Sequence, residues 1–187
     1  MTHPIAKILS VFVPGSERRK AFRRRVTRLL YGSAVRRRAK SVGKGFRANG
    51  LCIVTSNTSI GDFTSVGGFE VFGGGEVAIG SHVSFGPGVK ILTQNHEYEG
   101  DALPYTDDKF VHRSVRVGDC AWLGMDVTLL PGTAIGEGAV IQAGSVVHGV
   151  IPPCAIAGGN PAKVFAWRDK ARYESLKAAG RFFFGRA

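Results

Sequence analysis

Apolar residues recur at every sixth position along most of this chain, with one extra residue after the fourth and a polar interruption after the seventh. A period of six fits neither the 3.6-residue repeat of a helix nor the two-residue repeat of an ordinary strand. The pattern predicts a solenoid in which each hexapeptide supplies one short strand and one corner. The apolar positions are Val54, Ile60, Val66, Phe72, Ile79, Phe85, Ile91, Val117, Leu123, Leu129, Ile135, Ile141 and Val147.

Glycine follows eight of these positions directly. The chain has 26 glycines among 187 residues, about twice the ordinary share. We expect these glycines to adopt corner dihedral angles that other residues avoid. Stacking through parallel backbone hydrogen bonds would then give about four to five coils at ~4.8 Å each. A β-sandwich, the alternative, predicts irregular spacings. The glycines are Gly61, Gly67, Gly73, Gly80, Gly86, Gly118, Gly124 and Gly136.

The first 47 residues differ in charge from the rest of the chain. They hold fourteen Lys and Arg against one acid, a net charge of +13, whereas residues 48–187 carry a net charge of −2. Apolar residues within this arm fall at helical spacing among arginines, a basic amphipathic pattern. Such a helix either lies on an anionic membrane surface or packs on the body of the protein, and the sequence leaves both open. The apolar positions of the pattern are Phe22, Val26, Leu29 and Leu30. No nucleic-acid partner is expected, because no binding module surrounds the basic residues.

Cysteine usage and the N-terminal apolar run predict a location. Three widely spaced cysteines without a CxxC motif, Cys52, Cys120 and Cys154, favour a reducing compartment over a disulfide framework or a zinc ribbon. The apolar run at residues 5–13 is far shorter than the roughly 20 residues of a spanning helix and lacks a secretory cleavage site. We therefore expect a cytoplasmic protein, with the arm as a candidate contact at the inner face of the membrane.

A dense series of hexapeptide motifs begins at Val117. It contains Val117-Gly118-Asp119-Cys120-Ala121-Trp122, Leu123-Gly124, Leu130-Pro131-Gly132, Ile135-Gly136-Glu137-Gly138, Ala143-Gly144-Ser145-Val146-Val147, Ile151-Pro152-Pro153 and Gly159-Asn160-Pro161-Ala162-Lys163. These motifs resemble the hexapeptide-repeat O-acetyltransferases, in the branch that contains sugar (maltose, galactoside, nodulation-factor) and xenobiotic acetyltransferases. The resemblance extends over about residues 50–165.

The resemblance implies an all-β fold, a left-handed parallel β-helix that assembles as a homotrimer with active sites between neighbouring subunits. The expected organisation is a basic arm at residues 1–47, a β-helix acyltransferase domain at 48–163 with a loop at 97–114, and a C-terminal helix and tail at 164–187. A helix from Val164 to Ala178 is expected to cap the open end of the coil, where unpaired strand edges would otherwise be exposed.

The polar interruption between Ile91 and Val117 is the expected place for chemistry, because loops on rigid scaffolds commonly carry function. His96, at its root, matches the catalytic histidine of the resembled family. Acetyl transfer from a thioester to a sugar hydroxyl needs a base, and an imidazole titrating at about 6.5 suits that role at neutral pH. Glu97 or Glu99 is a candidate for orienting His96.

The resemblance also implies acetyl-CoA as co-substrate and no metal. Trp122 would lie near the reacting groups, Gly124 and Ala143 would offer backbone groups to the pantetheine arm, and Lys163 would approach the nucleotide phosphates. A carbohydrate acceptor is expected near Asn95, Tyr98 and Tyr105.

Three other interpretations stay open. A zinc-dependent, carbonic-anhydrase-like enzyme on the same coil would need ligands among His82, His96, His112 and His148, although no histidine pair has the spacing of that group. A non-catalytic trimeric scaffold, recruited to membranes by its arm, would bind no CoA. A covalent acyl-enzyme scheme through Cys120 is also conceivable, although no histidine adjoins it in sequence.

Overall fold

The computed structural model describes residues 17–184, and in that part of the chain the hexapeptide repeat forms a parallel β-solenoid of six coils. The first five coils each place one short strand on each of three faces, and the sixth adds strands to two of them, so the chain winds a three-sided prism with sheets A, B and C. The expected left-handed parallel β-helix is confirmed. There is one coil more than the upper end of the expected four to five.

Strands are numbered in chain order and stack by parallel pairing, apart from two antiparallel additions. Sheet A consists of β1 (Ser41–Val42), β4 (Thr58–Ile60), β7 (Val77–Ile79), β12 (Val115–Val117), β15 (Ala134–Ile135) and β18 (Val150–Ile151). Sheet B consists of β2 (Arg47–Ala48), β5 (Ser65–Val66), β8 (Ser84–Phe85), β13 (Trp122–Leu123), β16 (Val140–Ile141), β19 (Ala155–Gly159) and the antiparallel β20 (Ala162–Trp167). Sheet C consists of β3 (Cys52–Ile53), β6 (Phe69–Phe72), β9 (Val89–Leu92), β14 (Thr128–Leu129) and β17 (Val146–Val147). A separate antiparallel hairpin joins β10 (Gln94–Glu97) to β11 (Thr106–His112).

The core is a set of aliphatic columns parallel to the prism axis. In sheet C, Val71, Ile91, Leu129 and Val147 pair in register from coil to coil. None is more than 5% exposed. The columns bury apolar surface continuously along the axis, which is the main stabilising term for such a repeat.

One predicted core position is wrong. Phe72 is 47% exposed, and Val71 takes its place in the column. The corner after Val66 is one residue shorter than the repeat because Gly68 adopts a φ of 130°, a conformation open to glycine alone among common residues. The step from Val66 to the next column position is therefore five residues.

The glycines that follow the apolar positions have a different role from the one expected. Of the eight, Gly73 has a positive φ and the other seven do not. A Cβ added at Gly124 would lie 2.5 Å from the backbone nitrogen of Ala143, and one added at Gly118 would lie 2.6 Å from that of Glu137. Glycine is required there because the backbone of the next coil lies directly against it.

Helix α1 (Glu17–Arg38) covers the N-terminal end of the prism. Its Val35 is fully buried. The carbonyl groups of the first coil have no preceding coil to bond, and arginines of the helix serve them instead. Arg36 donates to the carbonyls of Val42 and Gly43 at 3.0 and 2.9 Å, and Arg38 donates to that of Val54 at 2.9 Å.

The first coil begins at Ser41, which lies within the basic arm predicted at residues 1–47. Val42 and the fully buried Ala48 extend the six-residue series back from Val54. The basic side chains of this stretch, including that of Lys44, point away from the core. The segment is therefore basic in sequence although it forms a coil of the solenoid. The residues before Glu17 lie outside the described part of the chain.

The C-terminal end of the prism is closed by a strand, not by the helix expected from Val164. Strand β20 folds back antiparallel on β19 and pairs its exposed edge, because an unpaired edge leaves backbone groups unsatisfied. Helix α2 (Lys170–Ala178) follows, with the Asp169 side chain accepting from the Arg172 N–H at 2.9 Å as its N-cap. Within residues 17–184, neither helix has the length and apolar content needed to cross a bilayer.

Candidate active site

The polar interruption after Ile91 projects as the β10–β11 hairpin from the corner between sheets C and A. Its root is fixed through Thr93, which is fully buried. The Thr93 hydroxyl donates to the Phe72 carbonyl at 3.0 Å and accepts from the Gly75 N–H at 3.1 Å, while Arg113 N–H donates to the Thr93 carbonyl at 2.9 Å. The hairpin therefore leaves the prism from a rigid point.

His96 lies in β10 with its ring between two aromatic side chains. Its ring centroid is 4.0 Å from that of Tyr105, nearly stacked at 27°, and 4.5 Å from that of Phe110. The Nδ1 atom is buried and has no hydrogen-bond partner within residues 17–184. The two rings fix the plane of the imidazole by packing and not through a hydrogen bond to Nδ1.

The two glutamates considered for orienting His96 are not bonded to its buried Nδ1. Glu97 instead accepts from the Glu99 backbone N–H at 3.0 Å. Packing against aromatic side chains, and not a hydrogen bond from Nδ1 to a carboxylate, holds the ring in position. Phe110, which lies within the loop predicted at residues 97–114, is thus a further residue of the candidate site.

The three residues predicted for the acceptor site separate in space. Tyr105 lies against His96. Asn95 is the strand neighbour of His96 and is exposed on the opposite face of the hairpin, since successive strand residues alternate. Tyr98 is 67% exposed in the turn after β10. Of the three, only Tyr105 contacts the imidazole.

A second concave surface lies at the corner between sheets B and C, and we call it the Trp122 groove. It has a volume of about 500 Å³. The predicted residues Trp122, Gly124 and Ala143 are brought together there, because Trp122 and Gly124 lie two residues apart in one coil and Ala143 of the next coil lies against Gly124. Its lining includes Trp122, Gly124, Met125, Gln142, Ala143 and Phe165.

Lys163 and Phe165 stand in β20 beside this groove. Lys163 pairs with Gly158 and is exposed, but it is not part of the lining. The register shift in the β19–β20 pairing leaves Phe165 without a partner, as in a β-bulge, and its ring lines the groove. Phe165 could not be predicted from the sequence, because a bulge depends on the pairing of two strands.

His96 and the Trp122 groove lie at different corners of the prism. The hairpin leaves the corner between sheets C and A, whereas the groove lies between sheets B and C, with the width of sheet C between them. One chain therefore presents two separate halves of the expected site.

Cys120 is poorly suited to a covalent scheme. Burial raises the pKa of its thiol, and the side-chain interaction with Tyr173 only partly offsets this. Catalytic cysteines have a lowered pKa, because the thiolate is the nucleophile. The zinc-dependent alternative would need several ligands around one point, and within residues 17–184 no three or more His, Cys, Asp or Glu side chains are grouped so as to hold a metal ion.

The sequence matches a family model described as bacterial transferase hexapeptide (six repeats) over residues 114–149. A Mycobacterium tuberculosis protein named "Probable acetyltransferase Rv3034c" is 37% identical over 90 residues, which is 46% of this chain and 30% of that protein. The matching regions span between a quarter and two fifths of the length of the first curated relatives.

Solved structures match over more of the chain. A hexapeptide-repeat-containing acetyltransferase of Vibrio cholerae, complexed with acetyl coenzyme A, is 25% identical with a TM-score of 0.65, covering 73% of this chain and 75% of that one. A maltose O-acetyltransferase of Clostridium difficile is 28% identical with a TM-score of 0.57, covering 88% and 84%. The resemblance to the hexapeptide-repeat acetyltransferases is confirmed.

Helix α2 is held against the corner between sheets A and B by one carboxylate. Glu137 Oε1 accepts from the Tyr173 hydroxyl at 2.8 Å and forms an ion pair with Lys177. The Lys177 hydrogen bond is the main cause that lowers the pKa of Glu137 below its ordinary 4.5. The charged form of Glu137 thus fastens the helix to the prism.

Glu137→Gln should therefore lower stability in a pH-dependent way. Because the folded-state pKa is depressed, the stabilising contribution is present above the unfolded value of 4.5 and is lost as pH falls through the folded-state pKa. Urea midpoints of wild type and variant should differ at neutral pH and converge in acid, once the pH lies below the folded-state pKa of Glu137. Glu174→Gln, which removes an exposed carboxylate of the same helix, is the control. An equal difference at both pH values would contradict the assignment.

Proposed function

We propose that this chain, a hexapeptide-repeat protein with a left-handed β-helix, is an acetyl-CoA-dependent O-acetyltransferase that acts on a carbohydrate hydroxyl. The observation that carries the proposal is the imidazole of His96, clamped between Tyr105 and Phe110, with a buried Nδ1 that has no hydrogen-bond partner within residues 17–184. The Vibrio cholerae and Clostridium difficile structures support the class of reaction, since their names give acetyl coenzyme A as a ligand and maltose as an acceptor.

The Trp122 groove is the proposed site of the acetyl-CoA pantetheine arm. Its lining is mostly apolar, with the backbone groups of Gly124 and Ala143 at its floor. An apolar channel with a few backbone donors and acceptors suits a chain of methylenes and amides. Lys163 supplies a flexible cation beside the groove for the nucleotide phosphates.

Transfer proceeds directly from thioester to acceptor. The acceptor hydroxyl oxygen attacks the thioester carbonyl carbon while His96 removes the hydroxyl proton. The carbon–sulfur bond then breaks, and the proton passes from His96 to the departing CoA thiolate, giving the acetyl ester and free CoA. A backbone N–H stabilises the tetrahedral oxyanion.

The active unit is a homotrimer whose sites lie at the seams between subunits. His96 and the Trp122 groove occupy different corners of one prism, so a neighbouring chain has to supply the missing half. Exposed apolar side chains on the outer faces support such contacts, because large uncovered apolar patches usually mark interfaces. They include Trp122, Met125, Val150, Phe165 and Trp167.

His96→Ala should reduce turnover by about two to four powers of ten, because it removes the base but no part of the Trp122 groove. Release of CoA thiol from acetyl-CoA, followed with a panel of mono- and oligosaccharides, measures turnover, and calorimetric titration with CoA checks that binding is intact. The matched control is His112→Ala, an exposed histidine of the same hairpin. Unchanged turnover in the His96 variant would remove it from the mechanism.

We also propose that helix α1 contacts an anionic membrane surface. Its C-terminal half packs on the first coil, so the alternative in which the helix packs on the body of the protein applies to that half. Up to residue 30, the helix leaves Phe22, Leu29 and Leu30 more than half exposed, with exposed arginines at 24 and 25. Exposed apolar side chains among bases suit insertion at the headgroup level of anionic lipid.

Vesicle flotation should detect this contact. The full chain should float with anionic phosphatidylserine vesicles and not with neutral phosphatidylcholine vesicles. Arg24→Gln with Arg25→Gln should weaken binding by about fivefold per arginine, the effect of roughly 1 kcal/mol per base. Lys170→Gln with Arg172→Gln, which removes two bases from α2, is the charge-matched control. Equal flotation of both double variants would exclude the arm as the anchor.

A further inference from the structure

A third concave surface, separate from the hairpin and from the floor of the Trp122 groove, lies between sheet B and the C-terminal segment. We call it the tail groove, and it has a volume of about 560 Å³. Its floor comes from sheet B and from the corner before it, and its wall comes from α2 and residues 181–184. The reaction steps of the proposed function assign no role to this groove.

The wall of the tail groove is pinned to the prism by stacked rings. The His82 ring lies 3.9 Å from that of Phe182 on one side and 5.3 Å from that of Phe63 on the other. His82 Nδ1 is 3.1 Å from the Phe184 carbonyl oxygen, and the Arg47 guanidinium lies 5.2 Å over the Phe184 ring. These contacts hold the last described residues across sheet B and keep the groove open beneath them.

The floor includes the corner that leads into sheet B. His82 and Cys120 occupy equivalent positions of this corner in successive coils, with φ values of 56° and 57°. Phe63 and Cys154 have φ values of 53° and 60° at the same corner of other coils, so the left-handed conformation belongs to the repeat. The side chains of His82 and Cys120 line the tail groove.

The lining combines aromatic faces with positive charge. Trp122, Tyr173 and Phe183 supply apolar faces, and aromatic faces stack on the C–H faces of sugar rings. Arg168, Lys177 and Arg181 supply three cations, and the lining contains no carboxylate.

The cations are not equally available to a ligand. Arg168 Nε donates to the Gly138 carbonyl at 2.6 Å, and Lys177 is paired with Glu137. Arg181 is exposed at the mouth of the groove. A guanidinium binds carboxylate and phosphate oxygens through two parallel N–H donors, so Arg181 is the strongest anion contact of the three.

Trp122 lines both the tail groove and the Trp122 groove. A ligand in the tail groove therefore meets the proposed acetyl-CoA site at the indole ring. We propose that the tail groove binds the acceptor, and that its cations select an anionic sugar, one that carries a carboxylate or a phosphate. This inference rests on the acetyltransferase function proposed above.

Calorimetric titration without acetyl-CoA tests the selectivity directly. Trigalacturonic acid should bind at least about tenfold more tightly than its methyl ester, the factor that one charge-assisted hydrogen bond typically provides. Glucose 1-phosphate against glucose gives the same comparison for a phosphate, so the two arms show which anion the groove prefers. Equal affinity of acid and neutral partner in both pairs would overturn the inference.

Two matched variants locate the effect. Arg181→Gln should abolish most of the preference for the anion, whereas Arg172→Gln, on α2 but outside the groove lining, should leave it unchanged. CoA affinity should be the same in both. A preference that survives Arg181→Gln, or that Arg172→Gln removes equally, would show that the tail groove is not the selective site.

Turnover, read separately, distinguishes this inference from the proposed function. Binding of anionic sugars without thiol release from acetyl-CoA would contradict the acetyltransferase function and leave the selective groove standing. Thiol release with equal kcat/KM for neutral and anionic sugars would uphold the function and contradict the selectivity.

Discussion

The whole molecule depends on how closely the backbone of one coil lies against the next. Hydrogen bonds of about 2.8 Å join equivalent residues of successive coils, as from the Gly118 N–H to the Ile135 carbonyl and from the Gly124 N–H to the Ile141 carbonyl. At that separation a side chain at the corner would collide with the neighbouring coil, so glycine is needed by closeness and not by dihedral freedom. The same spacing stacks the inward aliphatic side chains into columns and makes the three faces stiff.

The candidate site residues lie where the chain departs from this regularity. The His96 hairpin replaces a corner between sheets C and A, and the folded-back β20 and the segment after it border the two grooves. A stiff prism holds these departures in fixed positions, and preorganised positions are what a transfer reaction between two bound substrates requires.

The solenoid could be predicted from the sequence because each repeat is a local pattern of six residues. The prediction was wrong at three places. The coil that begins at Ser41 was hidden in the sequence by its basic residues, and a short corner puts Val71 instead of Phe72 in the core. Residues from Val164 form a strand and not the expected helix, because they pair with the open edge of β19. His96 was predicted from its place at the root of the interruption. The rings that clamp it were not, since their contact with it exists only once the hairpin forms.

The central claim is that a complete site joins the hairpin of one subunit to the Trp122 groove of its neighbour. Mixing two inactive variants tests it most directly, one with His96→Ala and the other with Ala143→Trp, which fills the groove. Random reassembly in equal amounts should restore roughly a quarter of wild-type thiol release, because each half of a seam is intact in one chain out of two. A mixture no more active than either variant alone, while wild type carried through the same mixing stays active, would contradict a site shared between subunits.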